Sequence, residues 1–599
     1  MLQSDPSVRH IPAPDRQDWY GPDEHLRWLV RESVDQAVWP VAESALAELG
    51  ELVPQRVEAL AVAADRHPPV LHQYDARGER IDEIEFHPAY HELIDTVLGF
   101  GTVHSAHVPG WRGLRDVAPK ALSSALSYMF LQADQAITGC PVGMMDAMAR
   151  CLARNDPELS ARFVPRIADD TGRHLTSAMF LTEKAGGSDV GANETVAVRG
   201  ADGDWRLHGE KWFASCPQSD LVLVMARPEG APPGPAGLGL FLMPHLLDDG
   251  SRNAILVHRL KNKFGTRAMA SGEVGLDGAF AWQVGRLDRG MRQMMDMVSL
   301  TRVGIITATA GAMRRNALEA LSHTARRATF GSVLQTHPLM RDSLAELVVD
   351  STAALSAAVV AGELLERGDA GELEAAGALR LVTPLFKGYF TERARICGGD
   401  AMEIRGGNGF IEDWPDARML RDVSVHAIWE GSGNVIALDV LRALGRGAGP
   451  HFLGDLERRA EATGGAAAPL AAPLLAEIHG LVGRLDQLAD ADAQGQQLPM
   501  RRLARRMAVL AAATLLAEQA SRHAASTNSG RLVWIAARFA ARLGGEPMVD
   551  SIAADTAWLA HADALLNGGH VAVEVGATAA ATVANALSGR PGASDGTSR

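Results

Sequence analysis

The chain has 599 residues, enough for about three to five domains around a large core. Hydrophobic residues make up 47% and charged residues 22%, the balance of a soluble globular protein. A formal net charge of −14 excludes a globally basic nucleic-acid coat, so any contact with DNA needs a local patch.

The amino terminus, MLQSDPSVRHIPAPDRQDWY, is polar and proline-rich and lacks the layout of a signal peptide. No uncharged apolar run reaches the length needed to span a bilayer, so a cytoplasmic protein without a membrane partner is expected. Cys140, Cys151, Cys216 and Cys397 have no metal-ligand spacing and read as reduced core or turn residues. Up to about residue 171 the pattern is mostly helical: EHLRWLV (24–30) and the set Ala42, Leu46, Leu49 and Val53 space their apolar residues by threes and fours. His87 and His91 share one helix face at a spacing that can hold zinc, but no third ligand is evident nearby, and no metal is expected.

From 172 to 285 the period becomes strand-like. The runs at 195–198, 205–209, 221–225 and 239–243 are short and apolar or β-branched, and ADGD (201–204) and a Pro/Gly loop at 228–238 punctuate them. From 286 to 445 long helical stripes return, at 291–315, 318–328, 339–368, 373–395 and 434–445. Linker-like stretches follow at 445–450 and 463–469, then Ala- and Leu-rich helical segments at 474–490, 500–525, 532–542 and 552–566. Arg501, Arg502, Arg505 and Arg506 cluster at helical spacing and are able to line phosphates; their alternative is to pair with the acidic run 486–492. Beyond 587 the chain, SGRPGASDGTSR, is expected to be disordered.

Three segments carry chemistry. LTEKAGGSD (181–189) and GEKWFAS (209–215) lie in the strand-rich region, and MEIRGGNGFIEDWPDARMLRDVSVHAIWEGSGN (402–434) lies at the end of the helical one. Glycines at the density of Gly406, Gly407 and Gly409 let backbone approach a planar or anionic ligand closely, because no Cβ stands in the way. Either segment alone reads as a turn or a core strand. Their order and internal spacing resemble the acyl-CoA dehydrogenase family: 181–189 is similar to its first signature, 209–215 to the strand along its flavin, and Glu403, Gly406, Gly407, Gly409, Phe410, Asp413, Arg418 and Asp422 to its second signature. Phe180 departs from that pattern, which usually has a small residue there.

The resemblance implies an α+β protein of the acyl-CoA dehydrogenase fold. Its expected parts are an N-terminal helical domain (1–171), a middle β-domain (172–285), a helical bundle (286–445) and an additional helical domain (446–599). It implies FAD, held by Met179, Leu181, Thr182, Gly187, Ser188, Phe213, Ser215, Glu403, Gly406, Gly407, Ser432, Gly433 and Asn434. Arg327, Thr329, Phe330 and His337 would reach a neighbouring subunit's flavin in a homotetramer. Glu430 takes the place of the catalytic base, and Ser188, Arg302 and Gly431 would meet an acyl-CoA thioester. A minority of the family places its base on the helix carrying Thr301 and Arg302; a threonine cannot do that work, which favours Glu430. The added C-terminal domain, the segment from Tyr74 and the wording IWEGSGN (428–434) with LDVLR (438–442) point to the AidB-like branch, associated with the adaptive response to DNA alkylation and with double-stranded DNA. Two functions follow: an acyl-CoA dehydrogenase acting on short or branched chains, with feeble turnover in this branch, or a DNA-binding protective protein using the fold as scaffold.

Overall fold

The computed structural model describes residues 18–545 and 556–588; the amino-terminal stretch, the start of the expected 552–566 helix and the tail after 588 lie outside the described residues. Two compact units emerge, Gln36–Ala308, and Thr309 onward together with the segment before Gln36.

In the first unit, helices such as Trp39–Leu52, Pro88–Gly99, Lys120–Leu131 and Gly143–Asn155 bury the apolar faces their spacing predicted. A hairpin of β1 (Val70–Tyr74) and β2 (Arg80–Glu85) interrupts them, where the sequence suggested mostly helix. Its turn is locally determined: the Asp75 carboxylate accepts from the N–H groups of Arg77 and Glu79 at 2.8 and 2.9 Å, and Gly78 takes φ +83°. His87 caps Pro88–Gly99, its Nδ1 accepting from Ala89 N–H, and its ring stacks on His67.

The β-structure is a seven-stranded sheet of β3 (Ser177–Phe180), β4 (Val196–Arg199), β5 (Trp205–Ser215), β6 (Leu221–Pro228), β7 (Gly239–Pro244), β8 (Ile255–Leu260) and β9 (Ser271–Gln283). The order β6-β4-β5-β9-β7 returns to β6, so these strands close on themselves, while β3 adds to β6 and β8 to β9. Closure explains why β6 is buried through Ala226 and β7 along its whole length, and both read as unbroken apolar runs. The sequence pattern missed β3, β8 and β9; Gly272, Gly275 and Gly278 interrupt the alternation of β9.

The helix Gly290–Arg326 runs in one piece where two segments were expected. In the second unit the core helices are Pro338–Asp369 and Leu373–Arg405, with Gly433–Gly445 against the latter. Beyond them, Gly449–Glu461 begins at an expected linker, with Pro450 in its first turn, where a missing N–H costs nothing. Ala471–Ala489, Met500–Thr527, Arg531–Ala540 and Val573–Ser588 complete the unit. Among the described residues two helices are long and apolar enough to cross a membrane by length and composition; the apolar window of Pro338–Asp369 is 94% buried inside the protein, and that of Gly465–Ala489 33%.

Asp350, fully buried in the middle of Pro338–Asp369, joins the bundle to the added helices. It accepts from Arg393 Nη2 at 2.5 Å and from Arg542, which also bonds Glu346 at 2.6 Å. Burial opposes its ionisation, yet the two guanidiniums outweigh burial and hold its carboxyl below the usual carboxylate range.

Four buried histidines of this unit are held neutral, among them His323, which burial and then Arg405 bring down to about 4. Burial drives His25 well below its usual range; burial and then Lys387 bring His426 down to about 3; burial and then Arg531 bring His523 to about 4. The unfolded chain binds a proton at each near pH 6.5, while the folded protein does not, so acidification below that value favours unfolding. Stability of this unit should fall by about 1.4 kcal/mol per pH unit for each such histidine between the unfolded and folded values. Urea midpoints at pH 7.5 and 5.5 measure this, and equal midpoints would contradict it.

Candidate active site

In the first unit the loop 181–189 lies beside β5, with Trp212 N–H donating to the Thr182 carbonyl at 2.9 Å. Glu183, one residue on, is buried and takes up the whole turn of chain. Its carboxylate accepts from Glu194 N–H at 2.6 Å, Thr195 Oγ1 at 2.5 Å and Lys211 Nζ at 2.5 Å. Lys211 also donates to the Met225 carbonyl, and burial pulls its ammonium below its usual range against the pull of Glu183. This pair went unassigned in the sequence, although both residues stand inside the motifs. With the loop so fixed, Gly187 and Ser188 are exposed, Met179, Leu181, Thr182 and Ser215 are half-buried, and Phe213 is 56% exposed on β5. Arg302 is buried in the same unit.

In the second unit Gly406, at φ +71°, ends Leu373–Arg405, and nothing lies within 4 Å of where a Cβ would stand at Gly406 or Gly407. A buried network supports this turn from behind: Arg405 donates to Glu319 at 2.7 Å and to Asp416, and Arg315 donates to Glu319 at 3.0 Å. Glu403 is exposed beside it. Glu430 sits in a turn before Gly433–Gly445 with φ +53°, followed by Gly431 at +115°. A non-glycine residue in the left-handed region carries strain that surrounding contacts must hold. Those contacts come from Lys387, a single lysine in the apolar run TPLFKGYF: its Nζ donates to the Trp429 carbonyl at 2.9 Å and the Gly431 carbonyl at 2.5 Å. A lysine amid such a run was the signal that could have identified it.

Arg327 to Phe330 form another feature. β10 (Ala328–Thr329) and β11 (Ser332–Val333) pair as a hairpin whose tip, Phe330 and Gly331, has φ +52° and +81°. Phe330 is 99% exposed, the Thr329 hydroxyl is buried with no hydrogen-bond partner among the described residues, and His337 Nε2 lies 3.2 Å from the Thr329 carbonyl. The four C-terminal arginines have different surroundings. Arg506 binds Glu477 and the Leu543 carbonyl, Arg505 lies 3.8 Å from Glu392, and Arg502 is exposed. The partners found are thus Glu477 and Glu392 rather than the 486–492 run. Arg501 packs against Gly433, and with Arg505, Lys387, Gly431 and Ile436 it lines a cavity of about 200 Å³. Among the described residues no group of three or more His, Cys, Asp or Glu is placed to hold a metal ion.

Family profiles match in the same chain order: the adaptive response protein AidB N-terminal domain over residues 10–171, the acyl-CoA dehydrogenase middle domain over 178–279 and the acyl-CoA dehydrogenase C-terminal domain over 288–445. AidB of Escherichia coli K12, which its name assigns provisionally to the acyl-CoA dehydrogenases, is 37% identical over 404 residues, 65% of this chain and 72% of that one. The chain belongs to the acyl-CoA dehydrogenase family. Its first domain is of the AidB type. Among solved structures it is similar to Caenorhabditis elegans ACDH-11 in complex with C11-CoA, at TM-score 0.82 and 27% identity, covering 90% of this chain and 93% of that one. An acyl-CoA dehydrogenase of Bacillus anthracis complexed with FAD shares the fold at TM-score 0.69 and 18% identity, over 93% and 96% of the two chains.

FAD is the cofactor of this AidB-type acyl-CoA dehydrogenase, and its residues fit the group. The bare backbone at Gly406 and Gly407 admits a close ligand, the Thr329 hydroxyl has a hydrogen bond to give, and on β5 Phe213 is 56% exposed, with the Lys261 ammonium 4.5 Å from its ring centroid, two residues from the half-buried Ser215.

Proposed function

We propose that this protein is an FAD-dependent acyl-CoA dehydrogenase of the cytoplasm that takes the α- and β-hydrogens from short or branched acyl-CoA thioesters, with Glu430 as the base. The observation that carries this reading is the glutamate held in a left-handed turn by Lys387, directly before the glycine-led helix Gly433–Gly445. FAD bound by the residues named above supplies the acceptor for the β-hydride. The α-proton goes to the Glu430 carboxylate. A carboxylate is a weak base for a carbon acid, so the site has to raise its proton affinity by excluding water and stabilise the enolate with hydrogen-bond donors such as the Glu430 N–H. Thr182, Ser188 and Ser215 offer hydroxyls to flavin and phosphate, and Ser432, Gly433 and Asn434 would meet the adenosine side. The purified protein should be yellow, and butyryl-CoA, isovaleryl-CoA or undecanoyl-CoA should bleach it under anaerobic conditions; the last is included because ACDH-11 was crystallised with C11-CoA. A flavin that neither butyryl-CoA nor isovaleryl-CoA bleaches would overturn the reading of a short or branched substrate, and one that none of the three bleaches would overturn the dehydrogenase reading itself.

The assembly proposed is a homotetramer in which Arg327, Thr329, Phe330 and His337 complete a neighbour's FAD site. A phenyl ring 99% exposed at the tip of a strained turn favours burial against a partner. Arg327→Ala should loosen FAD and weaken assembly together, because a guanidinium can hold two pyrophosphate oxygens at once. Tight FAD binding by a clean monomer in sedimentation would contradict this.

A role in the response to DNA alkylation rests on the AidB kinship, and duplex binding on Arg501, Arg502, Arg505 and Arg506. Of the four, Arg506 is engaged by Glu477, and Arg501, Arg502 and Arg505 are exposed.

A further inference from the structure

Lys387 is 1% exposed and stands midway along Leu373–Arg405, a helix of 33 residues. Its reach to the carbonyls of Trp429 and Gly431 spans Glu430: the first carbonyl belongs to the peptide that enters Glu430, the second to the peptide after Gly431. The first of these bonds has a directional consequence. The Trp429 carbonyl and the Glu430 N–H belong to one planar trans peptide, in which C=O and N–H point in opposite directions. A carbonyl drawn toward the Lys387 ammonium therefore aims the Glu430 N–H away from the helix. The same bond polarises that peptide and makes its N–H a better donor. The second bond anchors the peptide after Gly431, so the two-residue turn of Glu430 and Gly431, at φ +53° and +115°, is tied to one ammonium at both its ends and the carboxylate leaves the chain in a set direction.

We propose that Lys387 is a positioning residue that aims both working groups of Glu430, its carboxylate toward the substrate α-carbon and its N–H toward the thioester oxygen. This inference rests on the reading of Glu430 as the base. A purely structural lysine would stabilise the turn without affecting how a bound thioester carbonyl is polarised, and this separates the two roles.

The test compares parent, Lys387→Met, Lys387→Gln and Glu430→Gln as FAD-loaded proteins. Methionine has nearly the length of lysine but no donor. Glutamine keeps an N–H₂ group on a side chain one bond shorter, which reaches one carbonyl at most. Two quantities are read with butyryl-, isovaleryl- and undecanoyl-CoA: the rate of flavin reduction at saturation, and the infrared C=O stretch of the ¹³C-labelled thioester bound to the protein. Lys387→Met should keep its FAD and its affinity for acyl-CoA, lose about 100-fold in reduction rate, and return the carbonyl stretch toward its value in water. Lys387→Gln should fall between. Parent-like reduction and carbonyl stretch in Lys387→Met overturn the proposal. If Lys387→Met does not load FAD, Lys387→Gln decides: slowed reduction with a shifted stretch supports the proposal, and parent-like values overturn it. Parent-like reduction by Glu430→Gln instead overturns the reading of the base, and this inference with it.

Discussion

Glu430→Gln is expected to abolish reduction of the flavin by acyl-CoA, by about a thousandfold or more, while FAD stays bound. The swap keeps the shape of the side chain and removes the proton acceptor. It leaves intact the features that place residue 430: φ +53°, the two carbonyls on Lys387 and the glycine that follows. A loss confined to the reduction rate, with the flavin spectrum and the affinity for acyl-CoA unchanged, is the signature of an interaction made only in the transition state. An unchanged rate would move the base to another residue.

The largest expected effect on stability is at Asp350. Replacing it with alanine leaves Arg393 and Arg542 buried beside each other with their shared carboxylate gone. Breaking a buried ion pair from one side costs about 3–5 kcal/mol, mostly from the uncompensated charge left behind. Arg542 would keep Glu346, and Tyr389 lies 3.2 Å away, so the loss should fall chiefly on Arg393. Chemical denaturation followed by circular dichroism measures this. A change below about 0.5 kcal/mol, the range of ordinary surface substitutions, would contradict it.

The fold class was legible because motif order and helical periodicity agree over long segments. Helices 338–369, 433–445 and 500–527 lie within two residues of the sequence reading at every end, as strongly periodic elements should. The hairpin Val70–Tyr74 with Arg80–Glu85 was missed because it lies among helices and its determinant is a single Asx turn. The strand Ser271–Gln283 was missed because glycines hide its alternation. At the candidate site, spacing located Glu430 and the glycines, but periodicity says nothing of which buried charge supports them. Glu183 with Lys211, Arg405 with Glu319 and Asp416, and Lys387 each reach across tens of residues, and only tertiary structure brings such partners together. The C-terminal arginines show the converse. Of a cluster plain in sequence, Arg506 turns to Glu477 while Arg501 and Arg505 line the cavity beside Lys387, a distinction that helical spacing alone does not give.

The helix Pro338–Asp369 has a consequence for how the protein is made. It is apolar enough to resemble a membrane anchor, yet it is covered in part by Met500–Thr527 and Arg531–Ala540, with Arg538 and Arg542 binding its Asp342, Glu346 and Asp350. Synthesis runs from the amino terminus, so the ribosome releases this helix well before the segments that cover it exist. During that interval the nascent chain displays a greasy cylinder to chaperones and to the machinery that sorts membrane proteins. A shortened protein ending near residue 445 would keep the packing of this helix against Leu373–Arg405 and leave uncovered the face that Met500–Thr527 and Arg531–Ala540 close.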